Sequence, residues 1–263
     1  MYLQEVGNSE NETILFLHGG DVAGWMWTPQ IEAFKGRYHL LIPDLPGFGH
    51  SNNIPWQSFT DTAEQLAEII KEKGRNGRCH VVGLSMGGHL TLHLISVAPE
   101  LIDKVVLSGT AKRPYTPGLQ RMVRVMLPLM RYKFYWQLQA RARQYPADAA
   151  EMYIETGVGI DQQSLKSMMA EVMHSDGPTG LENFTNPVLI SAAEKDQSLI
   201  HDSQKDLLGI FPNAQAVIAP NMHHGWSGEN PELFSNMIGA WLKDRSLPDE
   251  LIPVNEAKPT HTI

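Results

Sequence analysis

The sequence predicts an α/β fold: a mostly parallel central sheet wrapped by helices and interrupted by a helical insertion. Three observations carry this. First, apolar runs of strand length recur at 13–17 (TILFL), 39–43 (HLLIP), 79–83 (CHVVG), 104–109 (KVVLSG), 187–192 (PVLISA) and 214–219 (AQAVIA). They are nearly continuous, as strands covered on both faces require. Second, helical patterns stand between them, and strand–helix alternation builds a parallel sheet. Third, the alternation stops after the fourth run. The stretch 111–186 shows helical patterns only, and then the alternation resumes.

Each element has its own signal. In 58–73 the apolar positions Ala63, Leu66, Ala67, Ile69 and Ile70 fall on one helical face. Segments 86–98 and 231–243 are also periodic. The core is therefore expected in 1–110 and 187–245, with 111–186 as a helical insertion. The polar tail 246–263 holds three prolines and is expected to be loosely attached.

A chain of 263 residues can bury roughly three quarters of its unfolded surface, so no staple is needed. Cys79 is the sole cysteine, which excludes an internal disulfide, a zinc ribbon and a paired-thiol redox site. The first twelve residues, MYLQEVGNSENE, lack the basic start and apolar run of a signal peptide. No apolar stretch is long enough to span a membrane. A soluble, cytoplasmic protein is expected.

The net charge is −8, which argues against wholesale nucleic-acid binding. Its distribution is uneven. Between Lys112 and Ala147 stand Lys112, Arg113, Arg121, Arg124, Arg131, Lys133, Arg141 and Arg143, without one Asp or Glu. That stretch carries +8 and the remainder −16. A solvated helix face is the default reading. The alternatives are a surface that receives an anionic substrate or acyl carrier, or one that rests on an anionic membrane.

The chemistry is concentrated in a few short motifs. Gly83-Leu84-Ser85-Met86-Gly87, with Gly88 next, lies between an apolar strand and a helical segment. A serine on so sharp a turn needs small neighbours, because flanking side chains would collide. Such an elbow presents the hydroxyl clear of the backbone. The helix N-terminus behind it favours developing negative charge. A serine hydroxyl needs a base. His223 and His224 follow the last apolar run, where a loop can return an imidazole to the carboxyl edge of the sheet. His89 and His93 share an i, i+4 spacing, but the glutamate of a zinc-protease helix is missing. An acid must orient the base. Asp196 follows the run at 187–192, whereas no acid follows the run at 104–109 until Asp148. The pair Gly47 and Gly49 has no third glycine at Asn52, so it makes no dinucleotide loop. No metal or cofactor is expected.

Four stretches resemble the α/β-hydrolases of the esterase/lipase type, over about residues 10–245. They are His18-Gly19-Gly20 with Trp25 and Trp27, the run Asp44 to Ser51, the elbow Gly83 to Gly88, and His224 to Pro231. The resemblance implies the α/β-hydrolase fold and the chain order Ser85, Asp196, His224 for nucleophile, acid and base. It selects His224, which stands seven residues before Pro231. It places the oxyanion hole at the backbone N–H groups of Gly20 and Met86. It makes 111–186 a lid over the serine. Seven methionines fall in that insertion. Trp25, Met26, Met122 and Met126 are the expected walls of an apolar substrate pocket.

The function expected is hydrolysis of a carboxylic ester or thioester of a small molecule, through an acyl-enzyme on Ser85. A lyase or carbon–carbon hydrolase on the same triad is the alternative within catalysis. A low-turnover ligand-binding or signalling protein is the alternative outside it.

Overall fold

The computed structural model describes residues 1–143, 145 and 147–254. Strand β1 (Leu3–Val6) leads into β2 (Thr13–Leu17), helix α1 (Thr28–Phe34), β3 (His39–Pro43), α2 (Phe59–Lys73), β4 (Cys79–Leu84), α3 (Met86–Val97) and β5 (Ile102–Ser108). Helices α4 (Pro117–Met126), α5 (Lys133–Ala142), α6 (Ala147–Gly159) and α7 (Gln162–His174) come next. The alternation then resumes with β6 (Val188–Ala193), α8 (Ser198–Ile210), β7 (Ala214–Ala219), the short α9 (Trp226–Glu229), α10 (Pro231–Leu242) and β8 (Ile252–Pro253).

The strands form one sheet in the order β1-β3-β2-β4-β5-β6-β7-β8. Strands β2 to β7 pair parallel, while β1 and β8 close the two edges antiparallel to β3 and β7. All six expected strands are present. The two edge strands were not legible as strands, because β1 mixes polar and apolar residues and β8 is two residues long. Within residues 246–254 the tail is anchored more closely than expected. Leu251 is buried, and the Val254 N–H donates to the Ala216 carbonyl at 2.8 Å. Residues 255–263 of the tail lie outside the described residues.

The parallel strands bury both faces. Along β2, Leu15 and Leu17 join a core with Leu66, Ile70 and Leu90, while Ile14 and Phe16 join another with Trp27, Phe34 and Ile238. Period-two alternation thus fills two cores with one strand. Helix α2 is capped by Ser58, whose Oγ accepts the Asp61 N–H at 3.0 Å. It buries Ala63, Leu66, Ala67 and Ile70, the face its spacing predicted.

Strand order reverses at β2, with β3 on one side and β4 on the other. In an open parallel sheet, such a switch point opens a crevice beyond the strands' carboxyl ends. The turns leaving β2 and β4 both meet there. Within the insertion, Trp136 of α5 and Tyr153 of α6 are fully buried, ring against edge at 5.4 Å. Among the described residues no helix is long and apolar enough to cross a membrane.

Candidate active site

Ser85 is the single residue between β4 and α3, with φ 55° and ψ −113°. A non-glycine residue held at such angles stores backbone strain, and persists only where its surroundings enforce it. Here the Ser85 N–H donates to the Ser108 carbonyl at 2.8 Å, tying the elbow to β5. The motif's small residues answer to contacts. A Cβ on Gly87 would strike the Leu17 carbonyl, and one on Gly88 would strike the Thr110 hydroxyl.

The histidine and the acid arrive from the next turns along the sheet. His224 Nδ1 lies 2.6 Å from Asp196 Oδ1. The Asp196 side chain is 2% exposed, and its Oδ2 accepts the Ala193 N–H at 2.9 Å. With Nδ1–H donated to the carboxylate, His224 keeps Nε2 free as a proton acceptor. Its ring rests on Gly109, at φ 58°, where an added Cβ would sit 2.7 Å from Cε1. Ser85 and Gly109 both hang from the end of β5, one by its N–H on Ser108 and the other by sequence. The elbow and the seat of the imidazole thus hang from the same strand end. His223 points elsewhere. Its N–H donates to Glu229 Oε2 at 2.8 Å, and its ring lies 3.1 Å from Glu229 Oε1.

The loop after β2 runs over the elbow. Cβ atoms built on Gly19 and Gly20 would lie 3.8 Å from Ser85 Cβ and 3.7 Å from Met86 Cβ. His18 fixes this loop from beneath. Its Nε2 accepts the Leu45 N–H at 3.0 Å, so Nδ1 carries the proton and faces the Gly19 carbonyl at 2.8 Å. Burial holds its pKa below the ordinary histidine value, in keeping with a neutral ring. Asp44 ties the following turn to the same loop. It accepts the Gly24 and His50 N–H groups, both at 2.8 Å.

The insertion grips this loop at three points. Arg143 Nη2 meets Asp21 Oδ2 at 2.6 Å, and the Tyr153 hydroxyl reaches the same oxygen at 3.2 Å. Trp25 Nε1 donates to Thr156 Oγ1 at 2.9 Å. The Met168 methyl lies 3.6 Å from where a Gly20 Cβ would stand. The sequence reading missed Asp21, Arg143, Met168 and Gly109, each of which acts through a neighbour remote in the chain. Of the expected pocket walls, Trp25, Met26 and Met126 are half-buried. Met122 is 48% exposed, so Met168 and not Met122 closes on the glycine loop. Among the described residues, no group of three or more His, Cys, Asp or Glu side chains is placed to hold a metal ion.

Residues 14–236 match the family described as "Alpha/beta hydrolase family". An AB hydrolase superfamily protein of Gibberella zeae is 29% identical, with 94% of this chain and 86% of that protein covered. A putative carbamate hydrolase RutD of a Caulobacter species is 26% identical over 88% of this chain and 90% of that protein. The esterase EaEST of Exiguobacterium antarcticum superposes with a TM-score of 0.80 at 18% identity, covering 92% and 95% of the two chains. The match runs from β2 to α10 and takes in the elbow and the histidine loop, and on that evidence the chain belongs to the alpha/beta hydrolase family.

Proposed function

We propose that the protein is a serine hydrolase of carboxylic esters or thioesters, working through a covalent acyl-enzyme. The observation that carries this reading is the 2.6 Å contact of His224 with Asp196, on an imidazole seated over Gly109 beside the strained Ser85 elbow. Ser85 Oγ attacks the acyl carbonyl while His224 Nε2 takes its proton. The backbone N–H groups of Gly20 and Met86 receive the oxyanion, each typically worth about 3 kcal/mol in the transition state. The imidazolium, stabilised by Asp196, returns the proton to the departing alkoxide or thiolate. Water then repeats the sequence on the acyl-enzyme and frees Ser85 and a carboxylic acid.

In this reading the insertion 111–186 is the lid, and Met168, Met126, Trp25 and Met26 contact the acyl group. One relative is named a putative carbamate hydrolase, and a carbamate presents a related carbonyl, so a carbamate belongs in the substrate panel. A fluorophosphonate probe should label wild type and not Ser85→Ala. The wild type should also turn over short and medium p-nitrophenyl esters. Equal labelling of both proteins, or no turnover of any acyl substrate by labelled wild type, would overturn the proposal.

A further inference from the structure

The insertion carries a face that the rest of the fold does not cover. Among the described residues, eleven large apolar side chains are exposed, and six of them lie between Met122 and Leu138. Val125 is 66% exposed and Leu138 62%. Helix α4 buries none of its ten residues. A helix this short is marginal in water unless its apolar side is packed. Its exposed side chains are nonetheless ordered. Met122, Val125 and Leu129 follow at i, i+3 and i+7, the spacing of one helical stripe. On α5, Phe134 and Leu138 are exposed at i, i+4 spacing, on one side of that helix. At the start of α5 the Tyr132 and Phe134 rings stack at 5.8 Å, with the Arg131 guanidinium 4.6 Å over Tyr132.

The bases sort themselves by the same face. Arg113 is held by Asp206 at 2.6 Å, Arg143 by Asp21 at 2.6 Å, and Lys112 Nζ by the Asp176 carbonyl at 3.1 Å. The other five, Arg121, Arg124, Arg131, Lys133 and Arg141, are exposed, and none makes an ion pair among the described residues. In sequence Arg121 and Arg124 stand next to Met122 and Val125, and Lys133 next to Phe134. No acid lies within 112–147 to oppose them, whereas the rest of the chain carries −16.

We propose that this α4–α5 face docks on an anionic lipid surface. Its bases meet the phosphate headgroups, and its apolar side chains enter the boundary beneath them. Arginine stems are long enough to lie along an apolar stripe while their heads reach outward, an arrangement a headgroup layer accommodates. A purely electrostatic partner, such as a soluble acidic carrier, gives no reason for Val125 and Leu138 to be bare. The −16 remainder is repelled by the same lipids and turns the basic face toward them. The inference rests on the surface alone and not on the hydrolase reading.

The test is co-sedimentation of the full-length protein with vesicles of phosphatidylcholine alone and of phosphatidylcholine with phosphatidylglycerol. Wild type should bind the anionic vesicles, ignore the neutral ones and dissociate as salt rises. A triple variant with Arg121→Gln, Arg124→Gln and Arg131→Gln should lose about 100-fold in partitioning, about five-fold per charge near the surface. The double variant Val125→Ser and Leu138→Ser should lose at least about ten-fold at every salt concentration. Circular dichroism checks that both variants remain folded. Binding equal on neutral vesicles, absent on anionic ones, or untouched by both variants would overturn the proposal. So would a concentration-dependent dimer lost in the double variant without vesicle binding, which makes the face a contact between copies. Retention on polyglutamate without vesicle binding would assign it to an acidic chain instead.

Discussion

The Asp196 carboxylate has no oxygen to spare: Oδ1 meets His224 Nδ1 at 2.6 Å and Oδ2 accepts the Ala193 N–H at 2.9 Å. The second contact fixes the acid to its own turn, so the first fixes the imidazole. Asp196→Asn should preserve the fold and the Ala193 contact. It should favour the wrong His224 tautomer and lower kcat by about 10³–10⁴. Steady-state kinetics with a thermal melt checks this, and a stably folded Asp196→Asn of full activity would exclude the role.

His224 and His223 are adjacent in sequence and opposite in commitment. His224→Ala should lose at least roughly 10³ in kcat. His223→Ala should stay near wild type, since its ring engages Glu229. A larger loss in His223→Ala would reverse the assignment.

Gly109 bears on His224 without any chemistry of its own. Gly109→Ala places a Cβ 2.7 Å from the imidazole Cε1, at a backbone φ of 58°. The ring must move. We expect kcat to fall by at least about 100-fold with little change in KM, the signature of a misplaced base. Unchanged kcat in a folded Gly109→Ala would show that the ring tolerates displacement.

The strain at Ser85 predicts a stability trade. Glycine accepts φ 55° without a Cβ penalty, and serine or alanine does not. Ser85→Gly should therefore melt above Ser85→Ala by roughly 2–4 °C, as about 1 kcal/mol of relieved strain implies. Calorimetry on the two inactive variants is the measurement, and an equal or lower melting point for Ser85→Gly would count against strain.

Acid sensitivity should trace in part to the α2–α3 contact. His93 stacks on Phe59 at 5.3 Å with its Nε2 buried and unpartnered. Burial, and then the neighbouring His89, lower its pKa to about 4. The folded state keeps this ring neutral while the unfolded state protonates it near 6.5. The unfolded chain therefore binds more protons in that interval, and stability falls as pH drops from about 6.5 to about 4. In His93→Leu the melting temperature should depend less steeply on pH across that window. An unchanged slope would place the sensitivity elsewhere.

The parallel strands and the elbow were legible because their constraints are local. Ile14 to Leu17 must be apolar throughout, since both faces are covered, and Gly87 must be small, since Leu17 lies against it. The pairing of Asp196 with His224 was legible through motif order and spacing. The grip of Arg143 on Asp21 was not, since 122 residues separate them and no periodicity joins them. Nor was Met168 over Gly20, because one methionine among seven in the insertion carries no mark of where α7 will lie. Strand β8 escaped for a different reason. Two residues hold no period, and only the open edge of β7 makes them a strand.

That edge pairing gives the chain ends a task. A parallel sheet leaves a row of unpaired amides and carbonyls on each outer strand, and such rows recruit other chains. Here Leu3–Val6 covers β3 and Ile252–Pro253 covers β7, so the two ends are the selvedges of one cloth. Trimming either end should fray the sheet into self-association while leaving Ser85 and His224 undisturbed at its centre. The margins that look most dispensable in the sequence thus leave, as outer strands, edges only four and two residues long, the short edges that invite other chains least.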